Sequence, residues 1–180
     1  MSLELKKAEK STYPQVKALF LEAFPPEERP PFRRLCSRAE RGKADFWTLY
    51  DGALFVGMAY VLRHRDTAYL FFLAIEASQR GKGYGTQTLE ALKKKYADSR
   101  LFLALEMLEP KADNYEQRVK RHGFYERCGF RDLPYKLREV GVVYDTMGIG
   151  GPVQPEEYKA MIDAWLGWPL KHILDMRMTE

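Results

Sequence analysis

Apolar positions along the chain repeat with two different spacings, and each spacing predicts one type of element. Apolar residues three and four positions apart are typical of an amphipathic helix, whereas short continuous or alternating runs are typical of strands. The spacing predicts helices at 11–24, 32–41, 114–128 and 155–166, and one that opens at the turn 79–85 and runs to about 96. The runs predict strands at 3–8, 46–50, 54–63, 68–75 and 101–107, with two more between 136 and 147. This mixture of elements is typical of an α/β protein.

The middle of the chain predicts one βαβ unit. Ala68–Ile75 is a continuous apolar run, which is typical of a central strand covered on both faces. A glycine-rich turn, Gln79–Gly85, follows it and opens a helix, and a second buried strand comes at Leu101–Met107. A helical connection of this kind joins parallel strands with a right-handed crossover. We therefore expect an α/β fold with a central parallel pair in its sheet.

Composition narrows the class of protein. The chain has 180 residues, a length typical of one domain, and we expect residues 1–180 to form a single domain. A hydrophobic content of 46% argues against disorder. Two cysteines are too few for a disulfide framework, and no apolar stretch has the roughly 20 residues of a membrane span. The first residues lack the apolar core of a signal peptide. These features predict a soluble, cytoplasmic protein without a membrane partner.

The glycine-rich turn is the clearest candidate for chemistry. Gly81, Gly83 and Gly85 would leave backbone N–H groups uncovered at a helix N-terminus, which favours anions, and Arg80 and Lys82 add positive charge. The turn therefore indicates a pyrophosphate site, although close packing of helix on strand explains the glycines alone about equally well. The pattern GxxxxGK followed by Ser or Thr is absent, and the glycines are not spaced GxGxxG. Nucleoside triphosphate and nicotinamide sites are therefore disfavoured.

Two motifs resemble the GCN5-related N-acetyltransferase (GNAT) family. Residues 80–85 (Arg-Gly-Lys-Gly-Tyr-Gly) match the family's acyl-CoA signature, Q/R-x-x-G-x-G/A, and residues 124–130 (Phe-Tyr-Glu-Arg-Cys-Gly-Phe) are similar to its FYxxxGF element. The apolar strands at 68–75 and 101–107 flank the signature in the family's order. The resemblance implies a mixed, mostly antiparallel sheet with a central parallel βαβ unit and splayed strands, flanked by helices.

The resemblance also implies an acetyl-CoA-dependent N-acetyltransferase, with acetyl-CoA as co-substrate and no metal. The backbone of Leu73, Ala74 and Ile75 would pair with the pantetheine arm, and the thioester would lie where the two central strands splay apart. A primary amine of an unidentified, small-molecule acceptor would attack the thioester directly. The residues implied to hold the pyrophosphate are Arg80, Gly81, Lys82, Gly83, Tyr84, Gly85 and Thr86.

Three residues are candidates for catalysis. Tyr125 matches the family's tyrosine acid, whose phenol would support the departing thiolate, and packing beside Phe124 and Phe130 is the structural alternative. Glu106 is a carboxylate within an apolar strand, where desolvation would raise its pKa towards that of a useful base. Glu76, at the end of the other central strand, and solvent water are the alternative bases.

Further features concern the acceptor and other partners. Glu27, in the proline-rich loop between the first two helices, is predicted to bind the cationic amine. The three histidines have no partner at a spacing typical of a metal site. A non-catalytic acyl-CoA-binding module and a basic RNA-associated domain are the alternative functions, nucleic acid is disfavoured, and a homodimer is left open. The formal charge of +4 lies within Gln79–Arg100, which holds six basic and two acidic residues on the predicted cofactor helix.

Overall fold

The computed structural model describes residues 3–179, which fall into two compact units. The first unit contains residues 3–62 and 70–95, and the second contains residues 63–69 and 96–179. The α-helices are α1 (Tyr13–Ala23), α2 (Phe32–Glu40), α3 (Tyr84–Lys95), α4 (Tyr115–Arg127) and α5 (Pro155–Leu166). The strands are β1 (Leu3–Lys7), β2 (Ala44–Asp51), β3 (Leu54–His64), β4 (Thr67–Ile75), β5 (Arg100–Glu106), β6 (Arg131–Asp132), β7 (Lys136–Glu139), β8 (Val142–Ile149) and β9 (Met176–Thr179).

The first unit is built on antiparallel strands. β1 pairs with β2, and β2 pairs with β3 through a hairpin that turns at Gly52, whose φ of 59° suits glycine. The register of β2 and β3 shifts between Leu49 and Tyr50, because Val56 is an extra residue in β3. Such an extra residue is a β-bulge, which bends the strand locally. β3 in turn is the neighbour of β4, the strand that leads into the glycine-rich turn.

Aromatic side chains fill the core of the first unit. Phe20 of α1 meets Phe72 of β4 edge-to-face, with ring centroids 5.2 Å apart. Tyr60 of β3 is wholly buried and donates a hydrogen bond to the carbonyl of Leu35 in α2, at 3.0 Å. Ring pairs of this geometry add about 0.5–1.5 kcal/mol each beyond the apolar area that they bury. These contacts hold both helices against one face of the strands.

In the second unit β8 is the central strand. β5, β6 and β7 all pair antiparallel with β8, and β9 pairs antiparallel with β7. The first residues of β4 also belong to this unit and lie beside β5. The N–H of Arg100 donates to the carbonyl of Asp66 at 2.7 Å, and the ring of Tyr69 stacks on Phe102 at 4.7 Å. Within residues 3–179, these first residues of β4 and β5 form the one parallel pair.

A part-buried ion network fixes the beginning of β5 to α5. The Arg100 guanidinium donates to both carboxylate oxygens of Asp66 and of Glu157, and to the carbonyl of Pro152. These hydrogen bonds from Arg100 lower the pKa of both carboxyl groups. Glu157 also accepts a bond from the N–H of Gln154 at 2.8 Å, which completes the capping box of α5.

The predicted fold class is confirmed, because the chain is mixed α/β with mostly antiparallel strands and one parallel pair. Every predicted helix and strand is present, with ends shifted by at most two residues. β6 and β9 were not predicted, since they have only two and four residues. The splay of the central strands and the single domain stay predictions. Within residues 3–179, no helix is both long enough and apolar enough to cross a membrane.

Candidate active site

The glycine-rich turn that follows β4 contains two residues in the left-handed conformation. Gly81 has a φ of 76° and Gly83 a φ of 84°, values at which a residue with a side chain is strained. A β-carbon at Gly81 would meet no described atom within 4 Å, and one at Gly83 would meet only the end of the Gln87 side chain. These two glycines therefore permit the left-handed backbone conformation of the turn. Close packing of the helix on the strand does not explain them.

The same turn leaves a row of backbone donors without acceptors. α3 begins at Tyr84, and the hydrogen bond from the N–H of Gln87 to the carbonyl of Gly83, at 3.1 Å, closes its first turn. No acceptor within residues 3–179 receives a hydrogen bond from the six N–H groups of residues 81–86. A row of free donors at a helix N-terminus is an arrangement that binds phosphate oxygens.

Side-chain hydrogen bonds hold the turn in place. Tyr84 is buried, so its side chain anchors the helix and only its backbone is available to a ligand. The hydrogen bond to Asp51 is the main cause that raises the pKa of the Tyr84 phenol. Arg80 and Lys82 are both exposed. The bonds are Arg80 Nε to the Ile75 carbonyl (3.1 Å), Lys82 Nζ to Gln79 Oε1 (3.0 Å) and the Tyr84 hydroxyl to Asp51 Oδ2 (2.8 Å).

The end of β4 approaches β3 very closely. Ala74 is buried, and its carbonyl oxygen lies where a β-carbon at position 57 would clash with it, so Gly57 is required there. Leu73 and Ile75 are half-buried and pack against the apolar cluster beneath the turn. The predicted pantetheine strand is therefore fixed from one side by the backbone of β3.

Glu76 directly follows β4 at the bulge in β3. Its N–H donates to the carbonyl of the bulge residue, Val56, at 2.9 Å, and its carbonyl accepts from the N–H of Gln79 at 2.8 Å. The half-buried carboxylate forms no hydrogen bond or ion pair with another residue in the described part of the chain. The backbone thus positions Glu76 firmly while its carboxylate stays available to accept a proton.

Glu106, the last residue of β5, is held by three side chains at or near the beginning of α4. Its Oε1 accepts from Asn114 Nδ2 at 3.0 Å and lies 3.2 Å from Arg118 Nη2, while Oε2 lies 2.9 Å from Arg121 Nη1. Arg118 also donates from Nε to Asn114 Oδ1 at 2.7 Å and from Nη1 to the carbonyl of Met107 at 2.8 Å. Both oxygens of Glu106 are therefore occupied by partners, two of them cationic.

The sequence reasoning missed Asn114, Arg118 and Arg121. Together with Tyr125 they recur every three or four residues, a spacing that places side chains along one face of a helix. The carboxylate that they hold ends the preceding strand, so an acidic residue at the end of an apolar strand, followed by a polar stripe on the next helix, is the signal that could have found them.

Tyr125 combines a packed ring with an available hydroxyl. The ring contacts Phe124 at 5.2 Å and Phe130 at 5.8 Å between centroids. Burial raises the pKa of the phenol, and the positive charge of Arg121 partly opposes that rise. The hydroxyl has no hydrogen-bond partner among residues 3–179. Ring packing and a proton-donating hydroxyl are therefore compatible in this side chain.

Glu27 is exposed on the 3₁₀ turn Pro26–Glu28, and its carboxylate contacts no charged group of the described chain.

His122, by contrast, has partners that the sequence did not reveal. Its Nε2 lies 2.8 Å from Asp132 Oδ1, its Nδ1 lies 3.7 Å from Glu126 Oε2, and one ligand atom from each residue falls within 4.8 Å of the others. The carboxylates face different ring nitrogens, and only the Asp132 contact is within hydrogen-bond distance.

Comparison with family models matches residues 13–130 to the acetyltransferase (GNAT) family. The chain belongs to the GNAT acetyltransferase family. The matched segment includes the glycine-rich turn, Glu106 and Tyr125. The predicted resemblance and the prediction of an acyltransferase are both confirmed by this membership.

Solved GNAT structures resemble the chain in fold. A protein from Bacteroides thetaiotaomicron assigned to this family is 21% identical, covers 93% of this chain and 98% of its own, and has a TM-score of 0.70. A chimera of the spermidine N-acetyltransferase SpeG from Vibrio cholerae is 17% identical, with coverage of 83% and 95% and a TM-score of 0.64. An acetyltransferase of Bacillus subtilis in complex with CoA is 18% identical, with coverage of 82% and 96% and a TM-score of 0.57. A search of curated protein sequences finds no match.

Proposed function

We propose that this GNAT chain transfers the acetyl group of acetyl-CoA to the primary amine of a small-molecule acceptor. The observation that carries the proposal is the row of six N–H groups at residues 81–86, which have no acceptor in the described chain. Gly81 and Gly83 already give the turn its shape, so a pyrophosphate would bind there with little ordering cost. The GNAT structure with bound CoA supports the same co-substrate.

The proposed cofactor site extends from this turn in both directions. Leu73, Ala74 and Ile75 would pair with the pantetheine arm, because β4 ends there and its backbone is firmly held against β3. The exposed cations of the turn would contact the phosphates through their side chains. The residues of the proposed pyrophosphate site are Arg80, Gly81, Lys82, Gly83, Tyr84, Gly85 and Thr86.

The proposed reaction is direct attack of the amine on the thioester, without a covalent enzyme intermediate. The new N–C bond forms as the C–S bond breaks, and the electron pair of that bond stays on sulfur. Tyr125 would donate a proton to the sulfur, and the amine proton would pass to Glu76 or to water. Glu76 suits this role because its carboxylate has no competing partner among the described residues. Glu106 is the less suited base, since cations already occupy both of its oxygens.

The acceptor is proposed to bind through its positive charge. Glu27 would contact the ammonium form of the amine, because its carboxylate is exposed on a turn stiffened by neighbouring prolines and has no competing partner within residues 3–179. The names of the similar structures include enzymes for spermidine and for an aminoglycoside, at 17% identity each. A cytoplasmic location remains a prediction, and a homodimer remains one of the open alternatives.

A thiol-release assay tests the proposed activity. Purified protein is mixed with acetyl-CoA and separate panels of polyamines, amino acids, aminoglycosides and peptides with free N-termini, and the released CoA is titrated with a thiol reagent. We expect release that depends on at least one amine, together with a product heavier by one acetyl group in mass spectrometry. Acetyl-CoA binding by calorimetry without release across all panels would instead support the non-catalytic acyl-CoA-binding module.

A further inference from the structure

We infer that Arg121 is a positioning residue that acts through Tyr125, and that Glu106 holds it in place as an anchor. The inference rests on the proposed acetyl transfer, and it assigns the Glu106 network a role different from proton abstraction. Its geometric basis is that one helix face carries Arg121 and Tyr125, while the end of β5 supplies the anchoring carboxylate.

The two arginines that hold Glu106 differ in their hydrogen bonds and in their exposure. Arg118 donates from Nε, Nη1 and Nη2 to three separate groups, and only 19% of its side chain is exposed. Arg121 makes a single bond, from Nη1 to Glu106 Oε2 at 2.9 Å, and 42% of its side chain is exposed. Arg118 therefore ties α4 to β5, whereas Arg121 keeps donors that no other described residue accepts.

Arg121 lies on the same face of α4 as Tyr125. The two residues are four positions apart on α4, a separation that makes side chains neighbours on a helix surface. The charge of Arg121 acts on the phenol, where it opposes the effect of burial on the pKa. Two guanidinium groups face one carboxylate in this network, so one positive charge remains uncompensated by Glu106. Of the two arginines that hold Glu106, Arg121 is the nearer to Tyr125 along the helix.

A fixed positive charge at this point favours the departure of the thiolate. As the C–S bond breaks, negative charge develops on sulfur, and the proton that Tyr125 gives to sulfur leaves negative charge on the phenol oxygen. The charge on the phenol oxygen is stabilised by a cation that is already oriented, and a preoriented charge needs no reorganisation during the reaction. The tyrosine then regains its proton from solvent, while the amine proton leaves through Glu76 or water. Glu106 contributes by fixing the guanidinium, because a free arginine side chain would sample many rotamers.

A double-mutant cycle tests the inference. Arg121→Gln is expected to lower kcat by about tenfold in the wild-type background but by less than about twofold in the Tyr125→Phe background, because residues that act as one unit are not additive. The Kd of acetyl-CoA should change by less than twofold, and Arg121→Lys should recover part of kcat because it keeps the charge. Arg127→Gln, which removes an exposed arginine of the same helix, is the matched control and should leave kcat unchanged.

Glu106→Gln separates the anchor from a general base. If Glu106 is an anchor, adding Glu106→Gln to Arg121→Gln should lower kcat little further. The acidic limb of the pH profile of kcat should also remain in Glu106→Gln. Equal losses from Arg121→Gln in both tyrosine backgrounds, or disappearance of the acidic limb in Glu106→Gln, would overturn the inference while leaving acetyl transfer intact. Absence of CoA release by the wild-type protein with every amine would overturn the proposed function and the inference together.

Discussion

The carbonyl oxygen of Ala74 occupies the space into which a β-carbon at Gly57 would project. Gly57 follows the bulge residue of β3, and Ala74 lies in the strand segment proposed to receive the pantetheine arm. The absence of a side chain on one strand therefore determines how closely its neighbour can lie. The backbone of β3 therefore controls the position of the β4 segment that is proposed to pair with the pantetheine arm.

Gly57→Ala is expected to destabilise the protein and to weaken acetyl-CoA binding. The added methyl group must displace β4 at Ala74, and an overpacked core of this kind costs about 1–3 kcal/mol. Urea unfolding and calorimetric titration with acetyl-CoA measure the two effects. Gly123→Ala is the matched control, because it adds the same methyl group on α4 beside only the flexible end of Arg127. It should raise the free energy of unfolding by up to about 1 kcal/mol through helix propensity.

Gly81→Ala is expected to raise the Kd of acetyl-CoA by about tenfold, because an L-residue resists the left-handed conformation that aligns the free N–H groups. Gly42→Ala provides the control, since Gly42 has a similar φ of 69° and equally open surroundings outside the proposed site. Both variants should lose about 1 kcal/mol of stability. A matched loss of affinity in Gly42→Ala would show that strain alone, and not the turn, accounts for the effect.

Tyr125→Phe is expected to lower kcat by about tenfold to a hundredfold and to leave the Kd of acetyl-CoA within twofold, because it removes a proton donor and keeps the packed ring. Tyr115→Phe, at the other end of α4, is the control and should retain full activity. Burial raises the pKa of the Tyr125 phenol, so the hydroxyl stays protonated through neutral pH. A wild-type kcat in Tyr125→Phe would remove Tyr125 from the reaction.

Arg100→Met is expected to lower the free energy of unfolding by about 2 kcal/mol at pH 7, since it removes charged hydrogen bonds from a part-buried network. Arg100 lowers the folded-state pKa of Asp66 and Glu157, so the stabilisation is complete above their ordinary values of 3.8 and 4.5. It is lost as the pH falls below those values through the lower folded-state pKa values.

Urea unfolding of wild type and Arg100→Met from pH 7 down to pH 3.5 measures this dependence. The difference between the two proteins should be constant above about pH 5.5 and should shrink below pH 4.5. Arg177→Met breaks an exposed pair with Asp175 and should cost less than about 0.5 kcal/mol at every pH. A difference that grows on acidification would contradict the assigned pKa directions.

Local signals in the sequence predicted most of the fold. The continuous apolar run of β4 and the glycines of the following turn each act over fewer than ten residues, so their pattern is visible without tertiary structure. The two residues of β6 and the four of β9 are too few to show a period. β9 forms because Met176 and Met178 bury one face when the strand pairs with β7.

The parts of the candidate site that lie within one short segment of the chain were predicted from the sequence. The turn at residues 79–85 and the tyrosine of the 124–130 motif were both predicted in this way, and their roles stay predictions. The partners of Glu106 were missed because Arg118 and Arg121 come twelve and fifteen residues later, and only the packing of α4 brings them to the carboxylate. The contact of His122 with Asp132 likewise depends on the chain reversal after α4.

The free donors at residues 81–86 are main-chain groups, and this has an evolutionary consequence. A mutation replaces a side chain and leaves the peptide N–H in place, so Lys82 and Thr86 can diverge among descendants of this gene without abolishing the proposed phosphate contacts. Only the left-handed positions Gly81 and Gly83 are constrained by the shape itself. Under the proposed function, the loops that would contact the acceptor can therefore diverge while the proposed co-substrate is kept.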